Sequence, residues 1–534
     1  MKKLYIKRYC PIISLLIIFL CGSAYALQGS TAANGSNAQA VHSCGITGLG
    51  INVGLITAKN VQANHLAFLE PNGQTRVFNY DFTETSLAYD YHDTPFAGII
   101  KSRGSISHPN DIGVSPDCVI HCGKVCVDNS IDDAHLENAL NSLIVTYGCK
   151  VIVTGIQLPP DVDPVWSRMY DYYAEKYDVV FANAAGNQNT EFSNISVFGD
   201  GYNGITTGGL EEPVMDNYSR VGNITCLGPT IDGRRKPDVM APANSQVAPG
   251  YSSSSNNYWH TTSITGATSW AVPHTGGVAA LLLQYANQTA DADDGHNAVI
   301  KAVIVNSTFP NIDDEDGIPT NPADPNNTWH NERGYGRIDA LRAYQTLSGG
   351  RVNKGTTLIM SSAGWAYDSM YPNATHTYML FGKENERLVL TITWHRKVTK
   401  TGSNYSDESF PKFNIDLTVK HPSDVNIYEE KDALNNLVKI DLPLKSTGEY
   451  EIILTNKTNK SRDYAIAFER YSYPGDFNFD YIVDGKDLGQ LVLEWLSSGT
   501  GLETDIFGDG NVNNRDFGEF AENWMRIDQR YYNP

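Results

Sequence analysis

Past its N-terminal end the sequence lacks any uninterrupted apolar stretch of about 18 residues, so nothing beyond that end is expected to span a membrane. It is also short of positive charge. Forty Lys and Arg stand against 60 Asp and Glu, a net charge of −20. Such a surface repels phosphate backbones, which argues against nucleic acid as a partner. Charged residues make up 19% and apolar residues 41% of the chain, the balance of globular domains rather than of disorder. Cysteine is sparse. Cys118, Cys122 and Cys126 fall on one face of a strand, but no fourth Cys completes a metal set, so they read as buried thiols.

What is present divides the 534 residues into three or four domains. Lys2, Lys3, Lys7 and Arg8 precede an apolar run from Ile12 to Leu20, and Ala24-Tyr25-Ala26 supplies a small-x-small cleavage site. Residues 1–26 therefore read as a secretory signal peptide, cleaved after Ala26. Cleavage removes Cys10 and Cys21. It leaves Cys44, Cys118, Cys122, Cys126, Cys149 and Cys226 to pair or stay free outside the cytoplasm. Residues 27–44 are small and polar, a linker. Over 45–349 apolar runs such as Val151-Ile152-Val153 and Val179-Val180-Phe181 alternate with helical stretches. That is an α/β domain with a mainly parallel sheet and helices on both faces. Over 350–470 the pattern turns to period two, as in Leu388 to Trp394, and reads as a β-sandwich. The last unit, 474–530, is a small helical domain built on an internal repeat. A shift of 29 residues carries Asp476 onto Asp505, Asp487 onto Asp516 and Trp495 onto Trp524, which marks two copies of one loop-helix unit.

Three segments of the α/β region carry chemistry. Gly266-Ala267-Thr268-Ser269 leads into a small, apolar helix, where a backbone N–H and the positive dipole end suit a developing oxyanion. Ala184-Ala185-Gly186-Asn187 ends a strand with an amide that can aim its NH₂ at the same point. His92, in Tyr91-His92-Asp93-Thr94-Pro95-Phe96-Ala97-Gly98, opens a helical stretch as a candidate general base. Singly, each is commonplace: a Ser before a helix is usually an N-cap, and an Asn after a strand is usually a turn residue.

Together, and in this order, they resemble the subtilisin-like serine peptidases, the subtilases. Lys236-Pro237-Asp238-Val239-Met240-Ala241-Pro242 and Gly334-Tyr335-Gly336-Arg337-Ile338-Asp339-Ala340 extend the resemblance over 45–349. It implies Ser269 as nucleophile, His92 as general base, and Asn187 with the Ser269 N–H as oxyanion hole. Thr154-Gly155-Ile156 would lie along the substrate backbone as an edge strand. Peptide or protein is the implied substrate.

The resemblance fails at the third triad member. Val53-Gly54-Leu55-Ile56-Thr57-Ala58-Lys59 matches the segment that carries the triad Asp, and His65 follows where the family also keeps a His. Thr57 stands at the Asp position and Lys59 at that of a Gly. A triad carboxylate fixes the tautomer and stabilises the imidazolium. Its loss costs on the order of 10⁴-fold in kcat, about 5 to 6 kcal/mol. Asp90 and Asp93 flank His92, but helix neighbours one or two apart do not face each other, so neither is expected to reach the ring. Too few residues lie between Ala26 and the first strand for a folding prodomain. The expectation is a secreted endopeptidase impaired by Thr57. The alternative is an inactive pseudopeptidase that keeps its groove for binding peptides or proteins.

The sandwich resembles the C-terminal β-domain of larger subtilases, and the tail resembles a dockerin. Ca²⁺ takes oxygen ligands at alternating loop positions with one backbone carbonyl. The first loop offers Asp476, Asn478, Asp480, Asp484 and Asp487 with the carbonyl of Ile482. The second offers Asp505, Asp509, Asn513 and Asp516 with the carbonyl of Asn511. Tyr481 replaces the turn Gly of the first loop and Phe507 a ligand of the second, so the expected affinity is below that of an ideal pair. The implied cofactor is calcium in the tail, with none required for chemistry. The implied partner is cohesin-like, attaching the protein to a cell surface.

Overall fold

The computed structural model describes residues 27–524, apart from 84, 86–88, 90, 129, 190–192, 261–266, 319, 321–327, 385, 408–414, 424, 432–433, 473–474, 478–482, 500–501, 503 and 507–509. The signal-peptide segment, Asp90, Asn478, Asp480, Ile482 and Asp509 lie outside the described residues.

Continuous apolar runs of β-branched residues build a sheet buried on both faces. Its strands run in the order Val239–Pro242, Ile205–Glu211, Val180–Ala184, Val151–Thr154, Asn52–Thr57, Val119–Lys124 and Val77–Asp81. All these neighbours are parallel, and Arg220–Val221 adds an antiparallel pair to Ile205–Glu211. The serine helix, Thr268–Ala286, is buried almost throughout. Gly276 and Gly277 let it approach the sheet, since a Cβ there would lie 2.4 Å from Val153 and 2.6 Å from Val114. Register places Thr57 beside Lys124, and Thr154 between Ile56 and Asn183. The carboxyl ends of the central strands thus form one rim, the usual place for a site in an α/β sheet.

Residues 27–44, expected as a linker, are instead packed. Leu27–Thr31 and Ala38–His42 are short helices, and Leu27, Ala38 and Val41 are fully buried. Small polar composition hid three apolar anchors spaced too widely to show a period.

The second domain is a two-sheet sandwich. Leu358–Ile359, Thr375–Gly382, Gly448–Asn456, Ile415–Lys420 and Asn426–Glu430 form one sheet, and Ala363–Met370, Arg462–Ser472, Glu386–Trp394 and Leu437–Leu444 the other. Alternate side chains, among them Leu390, Ile392, Leu417, Ile440 and Phe468, fill the space between. Polar bonds fix the sandwich to the first domain. Arg396 reaches Asp171 at 2.6 Å and Asp163 at 2.5 Å, Arg342 reaches Glu469 at 2.6 Å, and the Lys439 ammonium donates to the Val305 carbonyl at 3.0 Å.

In the tail, Gly485–Leu493 and Asn514–Glu522 are helices. They pack around Phe477, Val483, Leu491, Val512 and Phe520. Cys44, Cys118, Cys122, Cys126, Cys149 and Cys226 are all free thiols, and all but Cys44 are buried. Among the described residues no helix is long and apolar enough to cross a membrane.

Candidate active site

Ser269 is the second residue of its helix, so its backbone N–H lies outside the intrahelical ladder. Its hydroxyl donates to the Gly155 carbonyl at 3.0 Å. The Asn187 side chain caps this helix from outside: its Oδ1 accepts from the Thr268 N–H at 2.8 Å and the Thr268 hydroxyl at 3.1 Å. With the oxygen held there, the NH₂ end is turned the other way. The turn carrying Asn187 is fixed in its own right. Gln157 accepts from the Asn187 N–H at 2.9 Å and donates to its carbonyl at 2.6 Å. Gly186 has φ of +102°, and a Cβ there would lie 2.7 Å from that of Ser196, so only glycine fits.

His92 precedes the helix Asp93–Lys101. Its ring lies 5.3 Å from that of Trp270, the residue after Ser269, and 5.9 Å from Phe96. Phe96 in turn lies against Gly155, where a Cβ would be 2.5 Å from its ring. The structure therefore gathers Ser269, Asn187, Gly155 and the His92 ring around the start of one helix.

The sequence reading of Asp93 is overturned. His92 Nδ1 and Asp93 Oδ1 are 2.9 Å apart. Asp93 Oδ2 accepts from the backbone N–H of Lys59 at 2.6 Å. The Asp93 side chain is 3% exposed against 29% for His92. The rule that helix neighbours diverge holds inside a helix. At the first turn no preceding turn lies beneath, and Cα–Cβ bonds lean toward the open end, so the two side chains converge there. Thr57 is buried, and its Oγ1 has no hydrogen-bond partner among the described residues. Position 57 thus carries no carboxylate, while that of Asp93 lies against the His92 ring and is held by the backbone two residues beyond Thr57.

Thr154 departs from its expected place. It is fully buried inside the sheet between two neighbours, its hydroxyl 2.9 Å from that of Tyr170. A strand centre has no free edge, so only Gly155 and Ile156 run on past it. Thr154 is a packing residue.

Over residues 60–336 the sequence matches the model described as the subtilase family. The chain belongs to the subtilase family. Among solved structures it is similar to the prenylagaramide maturation protease PagA, at 18% identity over 58% of this chain and 98% of that one, with a TM-score of 0.44. The patellamide maturation protease PatA shows 19% identity over 56% of this chain and 98% of that one, with a TM-score of 0.43.

Two further features of this subtilase escaped the sequence reading. His274, in the serine segment, is fully buried, with its ring nitrogens near Ser36 Oγ at 3.2 Å and Gln246 Oε1 at 3.1 Å. Burial lowers its pKa to about 3, so it is a neutral structural group. Aromatics flank His92: Tyr91 lies 5.6 Å from Trp259, and Tyr89 stacks on Tyr251 at 5.4 Å. The Tyr pair around His92 was the only signal for them in the sequence. His65 is buried too, its Nε2 2.6 Å from the Asn257 carbonyl and its Nδ1 accepting from the Ala67 N–H.

Proposed function

We propose that this subtilase is a secreted serine endopeptidase that works through an acyl-enzyme, with Asp93 standing in for the missing triad carboxylate. Membership of the family supports a serine peptidase acting on peptide or protein. The observation that carries the finer reading is the His92–Asp93 contact at 2.9 Å. His92 takes the proton of Ser269 as the hydroxyl attacks the scissile carbonyl, and later gives it to the leaving amine. Asp93 holds Nδ1–H and stabilises the imidazolium. The Asn187 NH₂ and the Ser269 N–H receive the oxyanion. The hydroxyl of Ser269 must leave the Gly155 carbonyl for this. Such rearrangement is ordinary, because catalytic hydrogen bonds tighten only with substrate bound.

The reading extends to the rest of the chain. Residues 1–26 direct secretion. The sandwich stabilises the catalytic domain. The tail is dockerin-like and takes calcium and a cohesin-like partner. Asp476, Asp484, Asp487, Asp505, Asn511, Asn513 and Asp516 offer hard oxygen donors of the kind that ion takes, repeated with one spacing, although among the described residues no three carboxylates gather into a metal-holding group. Asn478, Asp480, Ile482 and Asp509 complete the proposed ligand set.

A fluorophosphonate probe tests the catalytic part. Ser269 should label in the natural protein, and Asp93→Asn should slow labelling by about 10²-fold or more. Labelling that appears only after Thr57→Asp would make the natural chain a pseudopeptidase.

A further inference from the structure

Asp111 is 4% exposed, and among the described residues no cationic side chain pairs with its carboxylate. Among the described residues the one hydrogen-bond donor to its side chain is the backbone nitrogen of Leu27, 2.9 Å from Oδ1. A buried carboxylate without a counter-charge is costly, and native structures pair such groups. Leu27 is the residue that cleavage after Ala26 would leave first. Its side chain is fully buried in a cluster with Ile99, Ala248, Ala267 and Trp270. Ile99 lies on the helix that His92 opens, Ala267 precedes the serine helix, and Trp270 follows Ser269. The same nitrogen thus meets the unpaired carboxylate and anchors a side chain wedged between the two catalytic helices.

We propose that Asp111 is a buried receptor for the primary ammonium of the processed N-terminus at Leu27, so that removal of the leader locks the two catalytic helices together. In the unprocessed chain this nitrogen is a neutral amide, which offers one N–H and no charge. Hydrolysis of the Ala26–Leu27 bond adds water across it, leaves a carboxylate on Ala26 and frees the Leu27 amine, which takes up a proton. The new ammonium supplies the charge that Asp111 lacks. Burial holds the Asp111 carboxyl above its ordinary range, at about 6, and a cation placed beside it would bring it back down. Residues 32–42 continue the strap: Asn37 donates to Asp339 at 2.8 Å, and Ser36 Oγ lies 3.2 Å from His274.

The proposal rests on the secretory reading of residues 1–26, and two measurements separate them. The intact mass of the secreted full chain should begin at Leu27; any other start overturns the proposal together with that reading. Chains made to begin at Leu27, or at one additional Gly before it, then test the receptor alone. The Gly-extended chain should melt lower by about 5 °C, with Asp111→Asn lowering the melt similarly and adding little to the Gly extension. Equal melting of the two chains overturns the receptor. If either variant fails to fold, acylation of the natural chain by an amine-reactive ester decides. The Leu27 amine should react at least about tenfold more slowly in the native than in the denatured protein, and equal rates overturn the proposal.

Discussion

Asp93 follows His92 directly in the chain, yet its carboxylate bridges two partners, with Oδ1 2.9 Å from His92 Nδ1 and Oδ2 2.6 Å from the Lys59 nitrogen. The second bond is as informative as the first. Lys59 lies two residues past Thr57, at the end of the strand from which a triad carboxylate would otherwise project. One side chain therefore joins the histidine helix to that strand end, and in the proposed mechanism the charge comes from the helix rather than from the strand.

The first prediction concerns that exchange. Asp93→Asn should lower kcat for peptide hydrolysis by on the order of 10³- to 10⁴-fold with little change in KM, since the group acts on the imidazolium formed in the transition state. Thr57→Asp alone should not raise activity, because it would bury a second carboxylate near the first. Combined with Asp93→Gly it should restore most of the loss. Steady-state kinetics of the four proteins checks this. Full activity of Asp93→Asn would remove the assigned role.

Asn187 has one observed role and one proposed role, and the two are separable. Its oxygen caps the serine helix through Thr268, and its NH₂ is assigned to the oxyanion. Asn187→Ala loses both. It should cost about 10²- to 10³-fold in kcat and about 1 kcal/mol of stability. Asn187→Asp keeps the acceptor while removing the donor, so it should melt close to the natural protein yet be at least as impaired. Thermal melting alongside kcat distinguishes the two contributions.

His274 sets an acid limit on stability. Its pKa is lowered to about 3 in the folded protein by burial, against about 6.5 in an unfolded chain. Between these values the unfolded state binds the extra proton, so stability falls as pH drops from about 6.5 toward 3. His274→Gln retains hydrogen-bonding capacity without a titrating group. Its melting temperature should fall less steeply over that window in pH-dependent calorimetry.

The family was legible because its motifs are short, local and ordered: AAGN ends a strand, and Thr268-Ser269 opens a helix. The sandwich was legible from its alternation. The Asp93 contact was not, because it depends on how two adjacent side chains fold over an open helix end, which no periodicity encodes. The strap at 27–44 was missed for a related reason. Leu27, Ala38 and Val41 reach the core singly, and their burial depends on surfaces contributed by Ile99, Trp270 and Leu347, far away in sequence. Thr154 was misplaced because a motif gives a residue's place in the chain without its place in the sheet order.

The tail repeat appears in three dimensions as matching bonds. Asp487 accepts from the N–H groups of Phe477 and Asp484 at 2.8 and 2.9 Å, and Asp516 accepts from those of Ile506 and Asn513 at 3.0 and 2.8 Å. Each carboxylate closes its loop onto the helix it begins. Both are fully buried, so Asp487→Ala or Asp516→Ala strands two backbone donors at about 1 to 3 kcal/mol each. Calcium bound to the loop oxygens would offset the clustered negative charge and add stability by mass action. Millimolar Ca²⁺ should therefore raise the melting of the tail in the full chain, followed by the fluorescence of Trp495 and Trp524, and the shift should shrink in either Ala variant. Asp487→Asn is the sharper test, because one amide oxygen still accepts a backbone N–H while the ligand charge is lost. A Ca²⁺ shift undiminished in Asp487→Asn would remove the first loop from the metal assignment.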